Sequence, residues 1–110
     1  MITATFSNGF ADTYKGKRDV KAAWAIFTLD GKVINSGHSL DAAKAAKTAE
    51  GHLQNVWFEI HFGIDRSHPL YYFKGAYPHS SSKVKREAKA HNAERLAFIR
   101  SLVRIEIVSL

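Results

Sequence analysis

Ile2, Ala4 and Phe6 alternate with Thr3, Thr5 and Ser7 at the start of the chain, the period-two pattern of a strand with one buried face. Asn8-Gly9 follows, a dipeptide that tolerates positive φ and predicts a two-residue hairpin turn. Phe10 to Lys15 is the expected returning strand. Beyond the polar, basic turn Gly16-Lys17-Arg18-Asp19, the stretch Lys21 to Leu29 carries Trp24, Ile26 and Phe27. It is too short for a typical helix and predicts a central strand. Asp30-Gly31 marks a second hairpin, returning through Lys32 to Gly37 with Val33 and Asn35 on one face. The first third therefore predicts an antiparallel meander.

Ser39 is the expected N-cap of a first helix, with Asp41 in the first turn where the helix dipole favours negative charge. Ala42, Ala45, Ala46, Ala49 and Leu53 give it a thin apolar face, and Gly51 is the expected terminator. Residues 55–64 fit two patterns. Val56, Phe58, Ile60, Phe62 and Ile64 alternate as in a strand, whereas Leu53, Val56, Trp57 and Ile60 fit helical spacing. The unbroken alternation and the aromatic enrichment favour the strand. Asp65 to Ser82 reads as a loop with Pro69, Gly75, Pro78 and a serine run, holding a short strand at Tyr71-Tyr72-Phe73. The serines cap a second helix, Lys83 to Leu102, with Val84, Ala88, Leu96, Ile99 and Leu102 facing inward. Val103, Ile105 and Ile107 alternate with Arg104 and Glu106 in a last strand. The expected order is ββββ-α-β-α-β, an α+β fold whose antiparallel sheet begins with an N-terminal β-meander and carries two helices on one face.

The 110 residues suit a single domain, 1–110, that exposes about 6,100 Å² when folded. The longest apolar run is six residues, Ala22 to Phe27, far short of a bilayer span. No basic stretch precedes an apolar one at the N-terminus, so neither a secretory signal nor a membrane partner is expected. The absence of cysteine excludes disulfides, thiolate metal sites and cysteine nucleophiles, and fits a reducing, cytoplasmic setting.

Charge changes the picture. The net charge is +6, and the last 28 residues hold +4 of it. Lys83, Lys85, Arg86 and Lys89 supply most of that excess and form a cluster able to attract phosphates or an acidic protein surface. The plain alternative is a solvated helix face. Cations at a helix N-terminus oppose its dipole, a conflict that bound phosphate relieves. Upstream, Trp57, Phe58, Phe62, Arg66, Tyr71, Tyr72, Phe73, Lys74 and Tyr77 fall within 21 residues. Exposed aromatics beside cations stack on bases and also anchor protein interfaces. Phe58 and Phe62 are expected in the core. Arg66, Lys74, Tyr71, Tyr72 and Tyr77 are the residues expected to face a partner, with Lys15, Lys17 and Arg18 as a secondary basic turn.

Chemistry-bearing motifs are sparse. Glu59, His61, Asp65, His68 and, further on, His79 are suitable metal-ligand types, yet their spacing fits no zinc pattern and no HExxH occurs. His79-Ser80-Ser81 is a single H-x-[ST] match where phosphodiester chemistry needs two. The meander and helix resemble the ribonuclease H arrangement, but Ser7 and Asn8 stand where that chemistry needs acids. Neither G-x-S-x-G nor a glycine-rich phosphate loop is present. The chain is therefore expected to have no catalytic residue, no cofactor and no metal.

Ala23-Trp24-Ala25-Ile26, followed by Asp30-Gly31, Ser36-Gly37 and Ser39-Leu40-Asp41-Ala42-Ala43-Lys44, resembles small phage and mobile-element proteins in which a β-hairpin feeds a lysine- and alanine-rich helix. Anti-CRISPR inhibitors of multisubunit CRISPR effector complexes are similar in size and layout. The resemblance covers about residues 20–54. It implies a non-enzymatic protein that binds a host nucleoprotein complex and blocks target DNA, and it transfers no individual functional residue. The positive charge departs from acidic inhibitors that mimic DNA. Three functions follow, in order: a small cytoplasmic protein engaging a nucleic acid or nucleoprotein complex through a basic, aromatic-flanked surface; a protein-only interaction module built on the tyrosine loop; and a metal-dependent hydrolase using His61, Asp65 and His68. An open sheet edge also admits a homodimer.

Overall fold

All seven residues of β3 (Ala22–Thr28) are buried, which explains the uninterrupted apolar run: this strand has a covered face on each side. The computed structural model, which describes residues 1–110, places β3 between two antiparallel neighbours. These are β4 (Val33–Ser39) and β5 (Val103–Ser109), in the order β4-β3-β5. Trp24 pairs with Gly37 on one side and Ile107 on the other. Ala22, Trp24 and Ile26 point into one cluster with Ala45, Ala49, Leu53, Phe58 and Ile99. Ala23, Ala25 and Phe27 point into another with Ala4 and Phe6. The fold is α+β.

The expected single meander divides into two sheets. β1 (Ile2–Thr5) and β2 (Ala11–Tyr14) pair only with each other. The link 15–20 carries their hairpin over the Phe27 face, where Ala4 and Phe6 are buried. Phe6, Phe10 and Phe27 meet there with ring centroids 5.8–6.0 Å apart. Both hairpin turns are one residue longer than the dipeptides predict. Gly9 donates to the Phe6 carbonyl and Phe6 to that of Phe10, while Gly31 and Thr28 repeat the pattern with Thr28 and Lys32. Gly9 and Gly31 sit at φ 88° and 90°, the left-handed position that a three-residue loop places at its end. The β3–β4 register also shifts, so that Phe27 opposes Val33 but Ile26 opposes Asn35. Directly opposed residues share a face, so Val33 and Asn35 lie on opposite faces rather than together.

α1 (Ala42–His52) is capped by Asp41, whose carboxylate accepts from the Lys44 N–H at 2.8 Å. Ser39 instead ends β4, paired with Ala22. Gly51 does not stop the helix, which runs on to His52 and into a 3-10 turn, Leu53–Asn55. Ala45 and Ala49 are fully buried, and their small side chains let α1 lie close to the sheet.

Residues 55–64 are not a strand. The short helix α2 (Phe58–Phe62) occupies them and ends at Gly63 with φ 66°. Phe58 and Phe62, one helical turn apart, pack on the core, while Trp57 and Ile60 stay two-thirds exposed. A strand would have put Ile60 on the same face as both phenylalanines. Tyr71-Tyr72-Phe73 form no strand either. α3 (Ser82–Leu102) begins at Ser81, whose hydroxyl accepts from the Val84 N–H. Of its expected inner face, Ala88 and Ile99 are buried and Val84 is exposed. Three helices, not two, thus gather on the Trp24 face. No helix is long and apolar enough to cross a membrane.

The molecule is long for its size, 49 × 30 × 18 Å with a radius of gyration of 16.4 Å, where a compact chain of this length has about 13 Å. Its exposed surface is 7298 Å², more than the roughly 6,100 Å² expected of a compact chain. The excess goes with an arm built from the loop before α3 and that helix's first half.

Candidate functional site

α3 spans about 31 Å at 1.5 Å per residue, and its buried positions are Ala88, Arg95 and Ile99. Its first two turns therefore stand largely clear of the core. Lys83, Lys85, Arg86 and Lys89 are all exposed there. Lys83, Arg86 and Lys89 recur every third residue and so mark one flank of the helix. Lys85 turns back, its Nζ donating to the Pro78 carbonyl at 2.7 Å.

The preceding loop is strapped to the helix by three side chains. His91 Nε2 meets the Tyr72 carbonyl at 2.8 Å. Asn92 accepts from the Lys74 N–H at 2.8 Å and donates to its carbonyl at 2.7 Å. Arg95 donates Nε and Nη2 to the Tyr71 carbonyl, both at 3.4 Å, and Nη1 to that of Gln54 at 3.2 Å. Farther out, Tyr77 donates its N–H to Ser80 Oγ, and its ring stacks on His79. The strap brings Lys74, Tyr72 and Tyr77 onto the arm that carries the helix cations. Tyr72, Phe73 and Tyr77 are each more than half exposed.

Tyr71 sits deeper than Tyr72 and Tyr77. It is half-buried, its ring edge-on to Phe58, and its hydroxyl donates to Glu59 at 3.3 Å. Desolvation, with Glu59 adding to it, raises the phenol above its ordinary range. Arg66 is exposed beside the Asp65-Ser67 turn. Residues 66–89 hold six Lys and Arg against one carboxylate, Glu87, and no ion pair of the protein involves any of the six. Lys15, Lys17 and Arg18 are exposed, and no hydrogen bond or ion pair joins them to the arm. Their turn is tied back to Tyr14, whose hydroxyl accepts from the Arg18 N–H.

The histidine and carboxylate cluster does not converge. With residues 58–62 helical, Glu59 and His61 do not share the face a strand would have given them. His68 stacks on Phe98 and accepts from the Leu70 N–H. Asp65 takes both the hydroxyl and the N–H of Ser67, which hold its carboxyl below the usual range. No three His, Asp or Glu side chains stand close enough to hold a metal ion.

Sequence reasoning did not single out Arg95, which is only 7% exposed. Its guanidinium lies 4.8 Å from the centre of the Phe58 ring, and burial lowers its pKa from the usual arginine range. It lines a cleft of about 510 Å³ together with Gln54, Asn55, Trp57, Glu59 and Tyr71. Its position one residue after Glu94 on an alanine-rich helix reads as surface charge, so the local sequence gives no sign of its burial. Trp57 stands in the aromatic cluster, but a strand assignment gives it and Ile60 no common cleft.

No protein-family model, curated protein or solved structure matches this chain.

Proposed function

We propose that this protein is a non-enzymatic, cytoplasmic binding protein that engages a nucleic acid, free or within a nucleoprotein complex, through the strapped arm. The observation that carries this reading is the gathering of five carboxylate-free cations, Lys74, Lys83, Lys85, Arg86 and Lys89, with the exposed Tyr72, Phe73 and Tyr77 on the strapped loop and the first half of α3. Cations along a backbone-tracking surface hold phosphates, and exposed aromatics stack on unpaired bases. The first turn of α3 carries no acid, so an approaching phosphate meets its free N–H groups without repulsion. An inhibitor that occupies the nucleic-acid path of a host defence complex, as the hairpin-and-helix resemblance implies, is the specific form of this proposal.

Fluorescence anisotropy with short single- and double-stranded DNA at several salt concentrations tests it. Affinity should fall linearly on a log–log plot against salt, by about 0.7 per phosphate contact for single strands and about 0.9 for duplex. The triple variant Lys85→Glu/Arg86→Glu/Lys89→Glu should lose binding with its circular dichroism unchanged. Absence of binding at low salt overturns the proposal. If Tyr72→Ala and Tyr77→Ala instead abolish capture of a protein partner with little salt dependence, the arm is a protein-only interaction module.

A further inference from the structure

The Arg95 cleft is unlike the arm. Its contents are planar and mixed in hydrogen-bonding sense. Trp57 and Tyr71 supply aromatic walls, Gln54 and Asn55 supply amides, and Glu59 and Arg95 bring an acceptor and a donor to the same space. Arg95 has five N–H donors, of which the carbonyls of Gln54 and Tyr71 take three. No carboxylate pairs with it. A guanidinium on a residue only 7% exposed, without a counter-charge and with donors to spare, is a costly arrangement unless something accepts from it. Glu59 is held only by the long Tyr71 hydroxyl contact at one of its oxygens.

A simple anion is a poor occupant, because Glu59 shares the cleft. A flat ring with an acceptor on one edge and donors on another matches both groups at once. Guanine is the base whose edge offers two adjacent donors, N1–H and N2–H₂, to a carboxylate, while its O6 and N7 accept from arginine. Adenine, cytosine and thymine lack that pair of adjacent donors. The indole of Trp57, two-thirds exposed at the rim, is a stacking platform. We infer that the cleft is a guanine-binding site, in which Glu59 accepts the N1–H and N2–H₂ of the base, Arg95 donates to O6 or N7, and Trp57 covers the ring. The base comes either from a free nucleotide or from an unpaired position in a strand held by the arm. The second source rests on the function proposed above.

Two titrations test it. The first uses guanosine 5′-monophosphate and adenosine 5′-monophosphate with ¹⁵N-labelled protein. The two tryptophans give two indole N–H signals, assigned with Trp57→Phe. The guanine nucleotide should move the Trp57 signal saturably and leave that of Trp24 in place, with an affinity about tenfold above the adenine nucleotide, the discrimination of one bidentate pair. Glu59→Gln should erase that preference, and Trp57→Ala should weaken binding about tenfold. The second titration compares a thymine-only strand with one carrying a single central guanine. A guanine preference here that Glu59→Gln removes, with thymine-strand affinity retained, places the base in the cleft while the arm holds the strand. Binding of the nucleotide but of neither strand leaves the cleft standing and removes the arm proposal. Equal binding of both strands, with no saturable shift from the nucleotide, overturns the guanine site and leaves the arm intact. An equal response to guanine and adenine nucleotides also overturns it.

Discussion

Asn92 pairs with the main chain of Lys74 as a neighbouring strand would, accepting its N–H at 2.8 Å and donating to its carbonyl at 2.7 Å. One amide side chain thus satisfies both polar groups of a loop residue that belongs to no sheet. His91 and Arg95 engage the preceding carbonyls, those of Tyr72 and Tyr71. The loop holds its place on α3 mainly through these helix side chains.

Replacing Asn92 with alanine should release the strap. Loss of the two bonds costs about 1–2 kcal/mol, little more because Lys74 is exposed and water replaces part of the pairing. Amide exchange at Lys74 should quicken and proteolysis within residues 71–79 should increase, with the sheet amides unaffected. Unchanged exchange at Lys74 would show that the loop holds its place without Asn92.

Acid should loosen the seat of the N-terminal hairpin. Glu106 Oε1 and Oε2 accept from the N–H and hydroxyl of Ser7, both at 2.7 Å, and Arg104 donates to Oε2. The Ser7 hydrogen bonds, with Arg104 beside them, hold the Glu106 carboxyl below the usual glutamate range. A carboxylate whose folded pKa is depressed stabilises the fold fully above its unfolded value, about 4.3, and progressively less as pH falls through the folded one. Urea midpoints measured from pH 7 downward should therefore drop in this window, and Glu106→Gln or Ser7→Ala should flatten that part of the profile. An identical pH profile in Glu106→Gln would refute the linkage.

Gly37 is where the sheet admits the Trp24 indole. A Cβ there would come within 2.8 Å of the indole nitrogen, and Trp24 is already stacked on His52 at 5.0 Å. Gly37→Ala should destabilise by about 1–3 kcal/mol, the range for overpacking a filled core, and should shift the buried tryptophan's emission. Gly51→Ala, where nothing lies within 4 Å, should be stabilising by up to about 1 kcal/mol because Gly51 lies inside α1.

β1, β5 and α3 are legible in the chain because each has one dominant period and a local signal at its ends, and β3 because its apolar run is too short for a typical helix and stops at Asp30-Gly31. The misreadings occur where two local signals compete and a distant contact decides. Val56, Phe58, Ile60, Phe62 and Ile64 alternate, yet Phe58 and Phe62 also stand four residues apart, and the position of the core makes the helical pair the buried one. Ser39 and Asp41 are both good caps; the pairing of Ser39 with Ala22 extends β4 and leaves the cap to Asp41. The cation cluster is visible as composition, and Lys83, Lys85, Arg86 and Lys89 are exposed as expected. Its union with Lys74, Tyr72 and Tyr77 depends on Asn92 and His91, whose partners lie 18 and 19 residues away. Nothing local announces those bonds. The burial of Arg95 is hidden for the same reason, since its partners are the carbonyls of Gln54 and Tyr71.

The β1–β2 hairpin reaches the central sheet without a single main-chain bond between them; Glu106, Phe27 and the Asn8–Gly31 contact hold it. Its own pairing is local and closes quickly. Its landing surface is not local, because Glu106 reaches position only when β5 pairs with β3 across most of the chain, and such distant pairings form slowly. The hairpin's landing surface is therefore incomplete until β5 has paired with β3. The hairpin's seat is thus closed by a residue 99 positions further along the chain.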